Sequence, residues 1–355
     1  MSGTSLDGVD AVLADLSSPR PRLLATAHRA FDDGLRAGLA RLLRPGPDEI
    51  ERAGALGNAL AREYADAVAA LLRQAGVAAA DVRALGCHGQ TIRHRPGQGF
   101  TVQIGNAALL AELAGIAVVS DFRSRDLAAG GQGAPLVPAF HAAVFADPAE
   151  PRAVLNLGGI ANLTWLPTAG AVTGFDTGPG NCLLDGWAEL HLDARFDAGG
   201  TWAASGCEDP GLLARLLDLA WFGTPPPKST GREIFHLDWV QASLKGGETA
   251  ADVQATLLAL TARSVADALK RWCPGTARVF ACGGGTRNDR LMQRLAQALA
   301  PVAVETTAAL GIDPMQVEAL AFAWLAQATL EGRPGNLPAV TGARGARVLG
   351  AVYPR

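Results

Sequence analysis

The sequence predicts an α/β protein made of two similar domains, and three observations carry that reading. Short apolar runs of strand length are followed by long amphipathic helical segments. A plan of strand, glycine-rich turn and strand appears at the amino terminus and again at Ala153 to Leu166. The length of 355 residues suits two domains of ordinary size. The first domain is expected over 1–150 and the second over 151–355, with the boundary near Asp147 to Pro151.

The elements follow in order. A polar turn, Gly3 to Gly8, feeds the alternating run Val9 to Leu16, the pattern of a half-buried strand. Such a turn joins two strands, yet only Met1 and Ser2 precede it, so the expectation is a shortened amino terminus with the first arm upstream. From Asp48 to Ala75, Ile50, Ala53, Leu56, Leu60, Tyr64, Val68, Leu71 and Leu72 recur at helical spacing. Val82 to Leu85, Thr101 to Ile104 and Ile116 to Ser120 read as strands, ahead of the loop Ala129 to Pro135. In the second domain Gly158 and Gly159 form the turn between two apolar arms. A Pro/Gly-rich loop (Phe222 to Arg232), a helix (Ala251 to Trp272), a strand (Arg278 to Ala281) and a helix (Asp289 to Ala300) come next. The last helix is expected from Asp313 to Thr329, with Asp313 as N-cap and Pro314 at the first helical position.

Composition excludes several classes of function. The net charge is -3 and neither sign gathers in a block, which argues against a nucleic-acid or anionic membrane partner. Five cysteines without a C-x-x-C pair indicate neither a disulfide framework nor a zinc site, so no protein metal site is expected. The longest apolar stretch, Ala107 to Val119, contains Glu112 and is too short to span a bilayer. A cytoplasmic location is the expectation.

Three glycine-rich turns could bring backbone N–H groups close to phosphate: Gly3 to Asp10, Asn156 to Asn162, and Cys282 to Asn288. None matches the P-loop or dinucleotide fingerprint. Two such turns in matching positions, with a third before a late helix, suit a two-lobed clamp around a nucleotide; for any one of them alone a tight hairpin turn is the better reading. Within Gly174 to Asn181, Gly178, Pro179 and Gly180 would stiffen the backbone and let Asp176 project as a general base. The alternative is an Asx-turn carboxylate capping the next helix. Cys87 to His94 offers imidazoles, an amide, a hydroxyl and a guanidinium, which suits a polar, sugar-like ligand better than a metal. Asp121 and Arg123 follow a strand end, where α/β proteins place ligands. Glu318 lies beside an apolar helical stripe, and Pro227 to Glu233 is either a loop that closes over a site or a plain surface loop.

Taken together, the segments Gly3 to Asp10, Cys87 to His94, Ser120 to Pro138, Asn156 to Asn162, Phe175 to Asn181, Pro227 to Glu233 and Ala281 to Asn288 resemble the anhydro-N-acetylmuramic acid kinases of cell-wall recycling. The resemblance covers essentially the whole chain. It implies the actin/Hsp70/sugar-kinase fold, two RNase H-like lobes with an ATP and substrate cleft between them. It also implies hydrolytic opening of the 1,6-anhydro ring with ATP-dependent phosphorylation of O6, ATP and Mg²⁺ as cofactors, a homodimer, and no nucleic-acid or membrane partner. By that resemblance Asp176 is catalytic. Gly3, Thr4, Ser5, Leu6, Asp7, Gly8, Val9 and Asp10 form the phosphate loop, with Gly158, Gly159, Gly283, Gly284, Gly285 and Asn288 also on the nucleotide. Gln90, Thr91, Arg93, Asp121, Arg123 and Glu318 are the candidates for sugar contacts, Arg123 being suited to the lactyl carboxylate. Members of that family carry further residues ahead of the Met-Ser-Gly-Thr-Ser segment, which makes an upstream start the simpler expectation here. The competing readings are a kinase of the same fold acting on another sugar, an ATP-driven switch that binds protein, and a sugar sensor without catalysis.

Overall fold

A computed structural model describes residues 1–3, 6–231 and 233–355. Thr4 and Ser5 of the expected phosphate loop, and Arg232 of the 227–233 loop, lie outside the described residues. The chain divides into two compact units, Met1–Val144 with Glu318–Arg355, and Phe145–Val317.

In the first unit β1 (Gly8–Asp15) and β2 (Arg22–Ala30) form an antiparallel hairpin with a bulge at Leu13/Ala14. Helices α1 (Asp33–Leu42) and α2 (Glu49–Ala75) follow, then β3 (Leu85–Gly86), the hairpin β4 (Gln90–Arg95) and β5 (Phe100–Ile104), α3 (Ala107–Ala114), β6 (Val118–Ser120), α4 (Ser124–Ala128) and α5 (Val137–Phe145). The second unit contains β7 (Arg152–Leu157), β8 (Ile160–Leu166), β9 (Thr173–Pro179), α6 (Cys182–Leu192), α7 (Thr201–Ser205), α8 (Pro210–Leu217), α9 (Leu237–Ala242), α10 (Ala250–Trp272), β10 (Arg278–Cys282), α11 (Asp289–Leu299) and β11 (Ala303–Thr306). The chain then supplies α12 (Val317–Leu330), α13 (Pro338–Thr341) and β12 (Ala351–Tyr353) to the first unit.

The second unit is built on one five-stranded sheet in the order β11-β10-β7-β8-β9. Strands β7, β8 and β9 run antiparallel in succession, and β10 and β11 continue parallel to β7. Numbered within the unit this is 3-2-1-4-5, the RNase H-like arrangement that the resemblance implies. Helix α10 packs its buried residues, among them Val253, Leu257, Leu260, Val265 and Leu269, into the core formed with Leu155, Leu163 and Phe175 of the sheet. Its ends are well matched to the helix dipole. Thr249 accepts a hydrogen bond from Asp252 N at 3.2 Å, Asp252 lies in the first turn, and Lys270 and Arg271 lie in the last.

In the first unit the strands form separate sheets, β1-β2, β12-β6-β3 and β4-β5. Its carboxy-terminal part corrects the expected domain limits of 151–355. Strand β12 pairs antiparallel with β6, and α12 buries Phe322, Leu325 and Ala326 against Val119, Phe122, Leu136 and Leu349. Packing of α12 onto β3 is so close that a Cβ on Gly86 would lie 2.1 Å from Phe322 O. Side-chain periodicity identifies such a helix but not the sheet that receives it.

Helix α12 starts four residues later than its sequence signals suggest. Asp313 accepts from Met315 N at 2.8 Å in a turn, and Pro314 O accepts from Gly283 N at 3.0 Å. A first-turn carbonyl of the expected helix is thus taken by the glycine turn after β10.

Loss of core packing in α10 is expected to dominate any loss of its cap. Leu260→Ala, at a fully buried position, should destabilise by about 2–5 kcal/mol, and Thr249→Ala by about 1 kcal/mol. Urea unfolding of the two variants beside the parent protein checks the ranking.

Candidate active site

In the second unit, three glycine segments meet at the carboxyl ends of neighbouring strands. Gly180 N and Cys182 N donate to Gly159 O at 2.9 and 3.0 Å, and Asn181 N donates to Gly158 O at 2.8 Å. The turn after β9 is thereby stitched to the turn between β7 and β8. Asn181 Nδ2 adds a bond to Leu157 O at 3.0 Å. From the other side come Gly283, at φ 85°, and Gly285. A Cβ would approach Asn156 Oδ1 to 2.5 Å from Gly283, and the Leu157 Cβ to 2.6 Å from Gly285. A Cβ on Gly180 would stand 2.3 Å from Gly158 O. Glycine is required at these positions by contact between backbones. Asn288, expected to face the nucleotide, spends its side chain on the N-cap of α11, accepting from Leu291 N at 2.9 Å.

Asp176 lies on β9 directly before this junction, opposite Asn162 of β8. It does not cap the following helix: α6 has Asn181 as its N-cap residue, with no side-chain capping bond. Instead, Asp176 Oδ2 accepts from Thr230 N at 2.8 Å, and Asp176 N donates to Lys228 O at 3.1 Å. The 227–233 loop is therefore held against the carboxylate by two hydrogen bonds. Burial pushes the Asp176 carboxyl up to about 7 and the Glu233 charge adds to the rise, while the Thr230 N–H and Lys228 oppose it. The buried Thr230 Oγ1 next to it has no partner among the described residues. A carboxyl titrating near neutral pH beside an unpaired hydroxyl is equipped to take a proton from a small nucleophile.

Lys228 was the residue the sequence concealed. Its ammonium sits 4.2 Å from the Trp221 ring centroid and donates to Phe222 O at 3.2 Å. Burial and Arg271 bring it down to about 8, against the pull of Asp176. Its signals in the sequence were its place in the Pro227 to Glu233 loop and its rarity, since it is one of three lysines in the chain.

The first unit holds the other expected residues. Leu6 and Val9 are core residues, so their side chains face away from any ligand and only their backbone is available. Gly8 packs so tightly on β2 that a Cβ would lie 2.3 Å from Arg29 O. Leu6 has φ 55°, Leu6 N reaches Gly3 O at 3.4 Å, and Asp7 O accepts from Phe31 N at 3.1 Å. Asp10 Oδ1 lies 2.8 Å from His28 Nδ1. Gln90 Nε2 donates to Gly3 O at 3.2 Å, joining a candidate sugar residue to the candidate phosphate loop, while its buried Oε1 has no partner among the described residues. An unpaired buried acceptor costs about 1–3 kcal/mol, which a ligand N–H or O–H would recover.

The remaining residues divide. Thr91 Oγ1 accepts from Gln103 Nε2 at 3.1 Å across the β4-β5 hairpin. Arg93 donates to Leu42 O and Ile92 O and pairs with Glu49 at 2.6 Å. It clamps β4 to the α1–α2 connection and has little left for a substrate, because a guanidinium satisfied on several sides is held by its partners. Asp121 is an exposed non-glycine residue at φ 56°, accepting from Ser124 Oγ at 2.5 Å at the end of β6. Arg123 places Nε and Nη2 at 3.0 and 2.9 Å from His88 Nε2, and Nη1 donates to Gly133 O at 2.7 Å. His88 Nε2 therefore accepts, and Nδ1 donates to Gly89 O at 2.7 Å. Burial and the neighbouring guanidinium hold His88 well below the ordinary histidine range, so it is neutral. Glu318, in the first turn of α12, keeps solvent contact yet stands among enough protein atoms to push its carboxyl up, with Arg123 and the chain's amino group drawing it back.

The family "Anhydro-N-acetylmuramic acid kinase" matches residues 1–355. A relative from Nitrosospira multiformis carrying that name is 54% identical over 356 residues, covering 100% of this chain and 97% of its own length. Relatives of the same name from Thiobacillus denitrificans and Cupriavidus pinatubonensis are 57% and 56% identical, over 100% of this chain and 96% and 97% of theirs. With identity of this order along its full length, the chain belongs to the anhydro-N-acetylmuramic acid kinase family.

Proposed function

We propose that the chain is an ATP-dependent kinase that opens the 1,6-anhydro ring of 1,6-anhydro-N-acetylmuramic acid and phosphorylates O6, giving N-acetylmuramic acid 6-phosphate and ADP. Family membership over residues 1–355 supports the overall reaction. One structural observation carries the mechanism: Asp176, raised to about 7, is fixed by the Thr230 N–H beside the glycine junction.

Asp176 takes a proton from water as the water oxygen bonds to the anomeric carbon. The C1–O6 bond breaks, and O6 takes its electron pair to the γ-phosphorus of ATP, from which ADP leaves. A base of pKa near 7 is ionised in a useful fraction at neutral pH and is still basic enough to accept that proton. The glycine turns supply backbone N–H groups for phosphate, and Gln90 Oε1 offers an acceptor to a sugar hydroxyl or amide. Mg²⁺ bound with the nucleotide would neutralise phosphate charge; the hard oxygen donors on the first turn are Asp7 and Asp10, which suit an ion held mainly by phosphate and water. A cytoplasmic homodimer completes the proposal, and light scattering of the purified protein tests the dimer.

Release of ADP from Mg-ATP that depends on the anhydro sugar, with a ring-opened phosphorylated product, is the expected result. Turnover without the sugar would point to the switch reading, and turnover only with a different sugar to another kinase of this fold.

Asp176→Asn should lower kcat by about 10²–10⁴-fold and leave ATP affinity almost unchanged; near-normal turnover would remove Asp176 as the base. Its stability has a defined sign as well. The carboxyl titrates at about 7 in the folded chain against an ordinary 3.8, so between these pH values the unfolded chain ionises first and the folded state loses ground. The Asn variant should therefore melt higher than the parent at pH 8, with the difference vanishing toward pH 4. Lys228→Met removes a positive charge that lowers the Asp176 pKa, so the acid limb of kcat/KM should move to higher pH by about half a unit to one unit. A loss of rate without that movement would mean that Lys228 only shapes the loop.

A further inference from the structure

We infer that His88 is a specificity-determining positioning residue: as an uncharged acceptor it fixes Arg123 so that the guanidinium keeps its full charge and two N–H groups for a carboxylate on the sugar. The inference rests on the substrate proposed above and names what, in the first unit, makes its acidic side chain count.

Arg123 is gripped on two sides by groups that carry no charge. Its Nε and Nη2 lie 3.0 and 2.9 Å from His88 Nε2, along one edge of the guanidinium, and Nη1 donates to Gly133 O at 2.7 Å. A guanidinium has five N–H groups, so one on Nη1 and one on Nη2 remain. Those two nitrogens form the end of the fork, an edge that meets a carboxylate with two parallel hydrogen bonds. Among the described residues Arg123 forms no ion pair, although Glu318 and Asp126 stand near enough to favour its charge. Asp126 is committed elsewhere: Oδ1 accepts from Asn336 Nδ2 and Thr341 Oγ1 at 2.6 and 2.7 Å, and Oδ2 accepts from Gly133 N at 2.8 Å. A partly buried cation without a counter-charge in contact is costly, and an anionic ligand would supply the missing partner. The lactyl carboxylate is the one such group on the sugar.

His88 is suited to hold the arginine without neutralising it. Its Nδ1 donates to Gly89 O at 2.7 Å, which leaves Nε2 as the acceptor. The ring is buried, with its centroid 4.7 Å from that of Phe322, so it has little room to turn away. Burial and the Arg123 charge together keep it unprotonated. A carboxylate in this place would hold the guanidinium as firmly and cancel its charge, and the attraction for an anion would be lost. The opposite grip is equally well anchored, because Gly133 is tied through its own N–H to the fully buried Asp126. Arg123 is thus oriented before any ligand arrives, and its remaining N–H groups are ordered at little further entropic cost.

The test compares 1,6-anhydro-N-acetylmuramic acid with its lactyl carboxamide, nearly the same in shape and uncharged, by titration calorimetry on the full chain without nucleotide, so that no turnover intervenes. The parent protein should bind the acid tighter by about tenfold or more. His88→Gln, whose Oε1 can replace Nε2 as an uncharged acceptor, should keep most of that preference. His88→Glu, equal in length and charged, should abolish it. A role in packing alone would weaken both sugars alike in both variants. Binding of the two sugars without preference by the parent, a preserved preference in His88→Glu, or equal loss of preference in the two variants would overturn the inference. Binding of neither sugar by the parent would overturn the proposed substrate and this inference with it. A second measurement needs no variant: nitrogen-15 histidine NMR of the parent protein at neutral pH should show His88 protonated on Nδ1 and bare on Nε2, and a proton on Nε2 would also overturn the inference.

Discussion

Contact between backbones at the carboxyl ends of β7, β9 and β10 is the constraint on which the second unit's site depends. Gly180, Gly283 and Gly285 approach their neighbours, Gly158 O among them, at distances that a Cβ would occupy. Because these turns touch through main chain, the hydrogen bonds from Gly180, Asn181 and Cys182 back to Gly158 and Gly159 can form, and the direction in which β9 leaves the sheet is set. The seat of Asp176 follows from that direction. So does the late start of α12, because Gly283 N captures the Pro314 carbonyl that a longer helix would have used.

The electrostatics of Asp176 show how a carboxylate becomes a base suited to neutral pH. Partial burial alone would favour the protonated form, and Glu233 adds to that preference. The Thr230 N–H and the Lys228 ammonium hold the ionised form within reach. Lys228 is itself kept in place by the Trp221 face and the Phe222 carbonyl. A single loop thus provides the oriented dipole, the counter-charge and the like charge. Binding and proton affinity are adjusted in this protein through one short segment.

In the first unit the polar residues form a relay of hydrogen bonds in which each partner restricts the next. Gly133 O and His88 Nε2 fix Arg123, and Gly89 O fixes the His88 tautomer. Asp126, fully buried, accepts from Gly133 N, Asn336 and Thr341 and so ties the 130–133 loop to the carboxy-terminal segment. An arginine held in this way offers a fixed charge to its surroundings at little further entropic cost.

The sequence by itself determined the α/β class, the Gly-turn hairpin at Gly158 and Gly159, the long helices now seen at Glu49–Ala75 and Ala250–Trp272, and Asp176 as the candidate base. These rest on local features, namely side-chain periodicity, glycine spacing and residue type, that neighbours in the chain reveal. Only the tertiary structure decided that Arg93 is a clamp, that Asn288 is a helix cap, that Lys228 stands beside Asp176, and that Glu318–Arg355 returns to the first unit. Each of those outcomes depends on which distant groups share one small volume. Lys228 and Asp176 are separated by some fifty residues of chain, and burial and charge act through space, where sequence separation carries no weight.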